Sequence, residues 1–295
     1  MLERAKATGA RSIAVVGTSK NAGKTVVTAA LADALSRSGE PFGICSIGRD
    51  GEALDAILGT PKPRYFLRPG TLVATAAALL PKSPAIEIVA VAGTTSALGR
   101  IAVARVRVPA LIEIVGPPGA AGLQRIVLRM QADGRFVLID GALDRIAPVG
   151  YGVPKAIVVA VGAAGGATPD HALDDVEALV RKLRLPARDS NGDAVRIDGA
   201  LTAGAAADLA RARERRQIVV SNPTQIAFGG RTFLRIASVL DLRCERQLRV
   251  VACSVAPLAA ERAFEPRSFA RNVAARTGLP VYDVYAATIT EPSAA

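Results

Sequence analysis

A run of nine residues near the amino terminus, GTSKNAGKT at positions 17–25, has the composition of a phosphate-binding turn. Glycines such as Gly17 and Gly23 let backbone N–H groups surround phosphate oxygens. The ammonium of Lys24 is suited to neutralise β- and γ-phosphate charge, and the Thr25 hydroxyl is suited to bind Mg²⁺. The run therefore predicts a nucleotide site in which Lys24 is catalytic and Thr25 is a metal ligand. The simpler alternative is a turn that starts a helix and binds nothing.

Carboxylates at three further places could complete such a site. Asp140 follows four apolar residues at 136–139, which is the form of a magnesium-binding strand end, although a turn aspartate has the same appearance. Asp50 lies in GRDGE at 48–52, where it could contact magnesium or a second substrate and Arg49 could sense the γ-phosphate. A plain polar turn is the alternative there. Glu113 lies in an apolar run and is either functional or at a strand edge.

The order of predicted elements positions these residues in an α/β fold. Apolar, β-branched runs at 12–16, 42–47, 135–140 and 156–161 predict buried strands, and residues 25–38 have the apolar spacing of one helix face. Further strands are expected at 86–92, 111–115 and 281–286, with helices at 123–130 and from Thr168 onward. Alternation of strands and helices indicates a parallel sheet covered on both faces. The carboxyl ends of its strands would bring residues 17–25 and 48–52 together.

A polar stretch with an Asn-Gly pair at 191–192 is the best candidate for a domain boundary. We therefore expect a nucleotide-binding α/β core over residues 1–188. Residues 189–295 would form a C-terminal α/β extension or subdomain.

Composition restricts the partners and the location. The net charge is +11, but Arg supplies 30 of the 37 basic residues and they are scattered, which favours a solvated surface over a nucleic-acid partner. The single histidine, His171, excludes multi-histidine metal sites and is expected at the surface. Three cysteines without a CxxC pair indicate reduced thiols and a cytoplasmic protein. No uninterrupted apolar span predicts a membrane helix.

Two family resemblances appear once these residues are in view. The spacing GxxxxxGKT is one residue longer than the usual Walker A pattern, and residues 17–31 resemble the opening of dethiobiotin synthetases and their relatives. A second resemblance, to the P-loop subunit of lysine 5,6-aminomutase reactivases, runs over most of the chain. It is carried by short segments at residues 20–25, 46–52, 70–72, 115–117, 138–145, 255–257, 264–266 and 280–283. At 255–257 this chain has Val-Ala-Pro where that family usually has Asn-Pro.

The second resemblance implies a fold and a function. The fold would be a parallel-sheet P-loop NTPase of the dethiobiotin-synthetase-like branch. The chain would be an ATPase, slow or partner-stimulated, that uses ATP and Mg²⁺ to release damaged cobalamin from an adenosylcobalamin-dependent aminomutase. Its expected partners are that enzyme and a subunit resembling mismatch-repair ATPases, and a homodimer is compatible with the sequence. Carried over by position, the nucleotide contacts are Gly17, Asn21, Ala22, Gly23, Lys24 and Thr25. Thr25 and Asp140 would bind magnesium. The catalytic residues would be Lys24, Asp140 and Asp50.

The first resemblance implies a different function, an ATP-dependent small-molecule ligase. Such an enzyme would need a second substrate pocket with its own bases. Residues 61–64 could supply them, although a solvated turn explains those residues as well. The absence of an Asn-Lys-x-Asp motif favours ATP over GTP in both cases.

Overall fold

The computed structural model describes residues 1–47, 64–141, 153–164, 168–259 and 262–292. Asp50, Arg49 and the rest of the GRDGE segment lie outside these ranges, as do residues 61–63. The expectations for those residues therefore stay predictions.

The described chain alternates strands and helices, as the sequence predicts. The helices are α1 (Leu2–Ala7), α2 (Lys24–Ser38), α3 (Ala120–Ala132), α4 (Pro169–Leu183), α5 (Ala203–Arg211), α6 (Gly230–Ala237) and α7 (Pro266–Thr277). The strands are β1 (Ser12–Gly17), β2 (Phe42–Ser46), β3 (Arg64–Leu67), β4 (Leu72–Ala76), β5 (Ile86–Ser96), β6 (Gly99–Val106), β7 (Ala110–Glu113), β8 (Phe136–Asp140), β9 (Ala156–Gly162), β10 (Ala194–Ile197), β11 (Gln217–Val220), β12 (Leu242–Cys244), β13 (Val250–Ala256), β14 (Leu258–Ala259), β15 (Arg262–Ala263), β16 (Val281–Asp283) and β17 (Thr288–Thr290).

A ten-stranded sheet in the order β17-β16-β13-β9-β1-β8-β2-β4-β6-β5 forms the centre of the molecule. The seven strands from β16 to β4 are parallel, so their carboxyl ends share one edge. β1 lies between β9 and β8, and every residue of β1 and β8 is buried. Strands covered on both faces need continuous apolar runs, which explains the composition of these segments. The mostly parallel α/β fold is therefore confirmed.

Both ends of the sheet depart from the parallel arrangement. β4, β6 and β5 pair antiparallel, and β17 folds back antiparallel onto β16. The strand predicted at 86–92 is confirmed, but it continues to Ser96. A short turn, in which Gly99 has φ +101°, then leads into β6. The strand predicted at 281–286 ends at Asp283. Its buried carboxylate accepts bonds from the amides of Tyr285 and Ala286, which starts the turn into β17.

Helices cover the two faces of the sheet with separate cores. On one face α2 packs Val27, Leu31 and Leu35 among residues of β1, β2 and β8. On the other face α3, α4 and α7 bury their apolar sides together. Helix α4 begins as expected: the Thr168 hydroxyl accepts a bond from the His171 amide, and Pro169 occupies the first turn.

The second half of the chain contributes to three sheets. β13, β16 and β17 belong to the central sheet, next to β9, and β14 pairs with β15. Between β9 and β13 in sequence, β10, β11 and β12 form a parallel three-stranded sheet with its own apolar core around Phe233 and Ile218. No helix within the described ranges is long and apolar enough to cross a membrane.

Candidate functional site

The loop of residues 18–23 leaves the carboxyl end of β1 and enters α2, where the sequence predicts it. Asn21 and Gly23 adopt left-handed conformations, with φ 60° and 90°. The Gly23 conformation favours glycine, because a side chain there would be strained. Within the described part of the chain, the amides of Asn21 and Gly23 donate to no other residue. The loop therefore presents donors at the positive end of a 15-residue helix.

Lys24 folds back over this loop. Its Nζ atom donates to the Ser19 carbonyl at 2.8 Å, and its aliphatic stem covers Gly17. A Cβ atom at position 17 would lie 3.0 Å from three atoms of the Lys24 side chain, so any other residue there would displace the lysine. Glycine at position 17 thus leaves room for Lys24 to fold over the loop.

The base of the loop rests on the ends of β9 and β13. The Thr18 amide donates to the Ala160 carbonyl at 3.0 Å, and a Cβ atom at Gly23 would lie 3.0 Å from the Cβ atom of Ala256. At Gly162 a Cβ atom would approach both the Ala256 carbonyl and Ala22. The structure therefore brings residues 255–257 against the loop, although they lie more than 200 positions further along the chain.

Asp140 is brought to the loop by strand pairing. It ends β8, is 8% exposed and lies in register with Val15 of β1 and Ser46 of β2. Its carbonyl accepts bonds from the Ile47 amide at 2.9 Å and from the Ser46 hydroxyl at 3.2 Å. The strand end is thus held by the end of β2, and a carboxylate that is costly to bury is placed beside the loop.

Tyr65 is a residue of this site that the sequence reasoning missed. Its hydroxyl donates to Asp140 Oδ2 at 2.8 Å. Burial and the Asp140 charge raise the pKa of Tyr65 well above its ordinary value, so its hydroxyl stays protonated and remains a donor. Burial and the same carboxylate raise the pKa of Cys45 to about 12. Cys45 is therefore an inert thiol of the core.

Gly141 offers a test of how tightly this strand end is packed. Its amide donates to the Val15 carbonyl at 2.9 Å, and an added Cβ atom would lie 2.6 Å from that oxygen. We expect Gly141→Ala to lower the free energy of unfolding by about 1–3 kcal/mol, as overpacking does. Denaturant titration would measure the loss. The control is Gly93→Ala in β5, where nothing lies within 4 Å, and equal stability of the two variants would contradict the packing described here.

The remaining candidates within the described residues are Glu113 and His171. Glu113 ends β7, opposite Arg64 of β3, in a two-stranded sheet outside the central one. Its carbonyl accepts a bond from the Thr75 hydroxyl at 2.9 Å. Glu113 follows Ile112, which lies opposite Tyr65 in the pairing of β3 with β7. This two-stranded sheet therefore reaches the site through Tyr65. His171 is exposed at the start of α4, as the sequence predicts.

The donor set suits a cation only in part. Within the described ranges no group of three or more histidine, cysteine, aspartate and glutamate side chains could hold a metal ion. Thr25 and Asp140 together offer one hydroxyl and one carboxylate. Mg²⁺ commonly uses one or two protein groups of this kind and takes its other ligands from water and substrate phosphates.

No protein-family model matches the chain, and a search of curated proteins found no match.

Proposed function

We propose that the chain is a P-loop ATPase that binds Mg·ATP on residues 17–25, with Asp140 completing the magnesium site. The observation that supports it most directly is the joint position of Lys24, Thr25 and Asp140. The first two open α2 directly after a glycine-rich loop, and the third ends the strand next to β1. Each of these residue types has a role in phosphoryl transfer, and the three meet at the carboxyl edge of the sheet.

Two features of the loop favour a phosphate ligand. The Ser19 hydroxyl oxygen is buried and has no hydrogen-bond partner among the described residues, which a phosphate oxygen would supply. A Cβ atom at Gly17 would lie 3.0 Å from three atoms of the Lys24 side chain, so glycine here lets the lysine fold over the loop. A turn that only starts a helix would need neither feature.

The proposed chemistry is hydrolysis. Water would attack the γ-phosphorus, the bond from that phosphorus to the β,γ-bridging oxygen would break, and ADP would leave. Lys24 would neutralise charge that develops on the phosphate oxygens, and amides at the start of α2 would add donors. Thr25 and Asp140 would hold Mg²⁺, which supplies further charge neutralisation. Asp50 remains our candidate for contacting magnesium or a second substrate.

The cellular role that we propose follows from the family resemblance. Segments similar to the P-loop subunit of lysine 5,6-aminomutase reactivases extend over most of the chain. Ala256, in the segment where the chain has Val-Ala-Pro in place of the family's usual Asn-Pro, packs against the loop at Gly23. We propose that ATP binding and hydrolysis drive release of inert cobalamin from an adenosylcobalamin-dependent aminomutase. A subunit resembling mismatch-repair ATPases would be the partner, in the cytoplasm.

A pull-down from native extract would test this role. The tagged chain is presented with ATP or with ADP, and the recovered proteins are identified by mass spectrometry. We expect an adenosylcobalamin-dependent aminomutase and a mismatch-repair-like ATPase, recovered in amounts that differ between the two nucleotides. The recovered enzyme, inactivated by turnover, should regain activity when the chain and ATP are added. Recovery of neither protein, combined with ATP turnover stimulated by a small acid or amine, would instead favour a ligase.

A further inference from the structure

Tyr65 lies where three elements meet. It belongs to β3, packs in the core that α2 forms with the sheet, and reaches Asp140 at the end of β8. The residue is 2% exposed. Its hydroxyl donates to Asp140 Oδ2 at 2.8 Å. One of the two side chains that we assign to magnesium is therefore held by this phenol group.

The hydroxyl, rather than the ring, needs an explanation. A phenylalanine would fill the same apolar space, whereas a buried tyrosine hydroxyl must find a partner. The partner here is a carboxylate, and a neutral donor to a charged acceptor forms one of the stronger hydrogen bonds in proteins. The terminal torsion of an aspartate is broad, so a fixed donor on one oxygen restricts the direction of the other.

The pairing of β3 with β7 sets the position of the Tyr65 hydroxyl. β3 pairs antiparallel with β7, and Tyr65 lies opposite Ile112, which is fully buried. Residues alternate along β3, so that Tyr65 and Leu67 face the core while Phe66 is exposed. The hydroxyl position therefore depends on the register of a separate two-stranded sheet and not on Asp140 itself.

We propose that Tyr65 is a positioning residue of the magnesium site: its hydroxyl orients the Asp140 carboxylate toward the ion held with Thr25. The inference rests on the proposed function. Tyr65 does not touch the metal or the nucleotide, and it acts through Asp140. Outer partners of this kind change metal affinity by about 10- to 100-fold when they are removed.

The test is Tyr65→Phe in the full chain, followed by calorimetric titration of ATP at a series of Mg²⁺ concentrations and in EDTA. We expect the Mg²⁺ concentration for half-maximal enhancement of ATP binding to rise by about 10- to 100-fold. ATP affinity in EDTA should stay unchanged. Tyr65→Phe combined with Asp140→Asn should add nothing to the effect of Asp140→Asn alone, because the hydroxyl acts through the carboxylate.

Two controls separate positioning from loss of packing. Ile112→Val loosens the packing of the β3–β7 sheet but keeps the Tyr65 hydroxyl. Tyr282→Phe removes a different hydroxyl, on β16, which accepts a bond from Arg4. Both should keep the Mg²⁺ dependence of the parent chain. An unchanged Mg²⁺ dependence in Tyr65→Phe, or an equal shift in Ile112→Val, would overturn the inference. Absence of ATP binding by the parent chain, with or without Mg²⁺, would overturn the proposed function itself.

Discussion

Replacement of Lys24 by alanine is expected to weaken ATP binding by about 100-fold while leaving the fold intact. The ammonium lies over the loop, 2.8 Å from the Ser19 carbonyl, in a position to meet bound phosphate. A hydrogen bond to a charged group contributes about 1.5–3 kcal/mol, and Lys24 would serve more than one phosphate oxygen. Since each 1.4 kcal/mol is a factor of ten in affinity, the loss should be obvious in calorimetry.

The control variant removes a lysine side chain that lies away from the loop. Lys155 is exposed just before β9, at the opposite end of the sheet from the loop. Lys155→Ala lowers the net charge by the same amount as Lys24→Ala, so it measures the contribution of overall charge to ATP affinity. Equal ATP affinity in the Lys24→Ala and Lys155→Ala variants would show that residues 17–25 do not bind phosphate.

Asp140→Asn should separate binding from hydrolysis. The amide keeps the shape of the side chain and one oxygen for the Tyr65 hydroxyl, so the strand end should stay folded. It removes the negative charge that would hold the metal ion. At saturating Mg²⁺ we expect ATP binding within a few-fold of the parent chain and turnover slower by about 100- to 1000-fold, the size of loss seen when a charge-stabilising group is removed.

Measurement of phosphate release at saturating ATP and Mg²⁺ would show this difference. Asp133→Asn is a matched control, because Asp133 caps α3 at the opposite edge of the sheet and pairs with Arg129 there. It should keep the turnover of the parent chain. Unchanged turnover in Asp140→Asn would move the carboxylate role to Asp50 or Glu113.

Local sequence patterns were sufficient for the elements that carry the candidate site. The first strand, the glycine-rich loop and α2 lie where apolar spacing and glycines predict them, and the end of β8 coincides with Asp140. β1 and β8 are buried on both faces, so their composition is dictated by the fold. The start of α4 is likewise encoded locally, by Thr168 and Pro169.

Long-range pairing explains what the sequence could not predict. Tyr65 belongs to a four-residue strand whose partner begins more than 40 positions later, and its role depends on that register. The antiparallel edge formed by β4, β6 and β5 arises from a turn around Gly99 that apolar composition did not reveal. The contact between Gly23 and Ala256 joins residues that no local rule connects.

The most direct test of the account is calorimetric titration of the parent chain with a non-hydrolysable ATP analogue, in Mg²⁺ and in EDTA. We expect binding at one site per chain, stronger when Mg²⁺ is present, and lost in Lys24→Ala. Absence of binding under both conditions, with the chain folded by circular dichroism, would contradict the central claim that residues 17–25 bind a nucleotide.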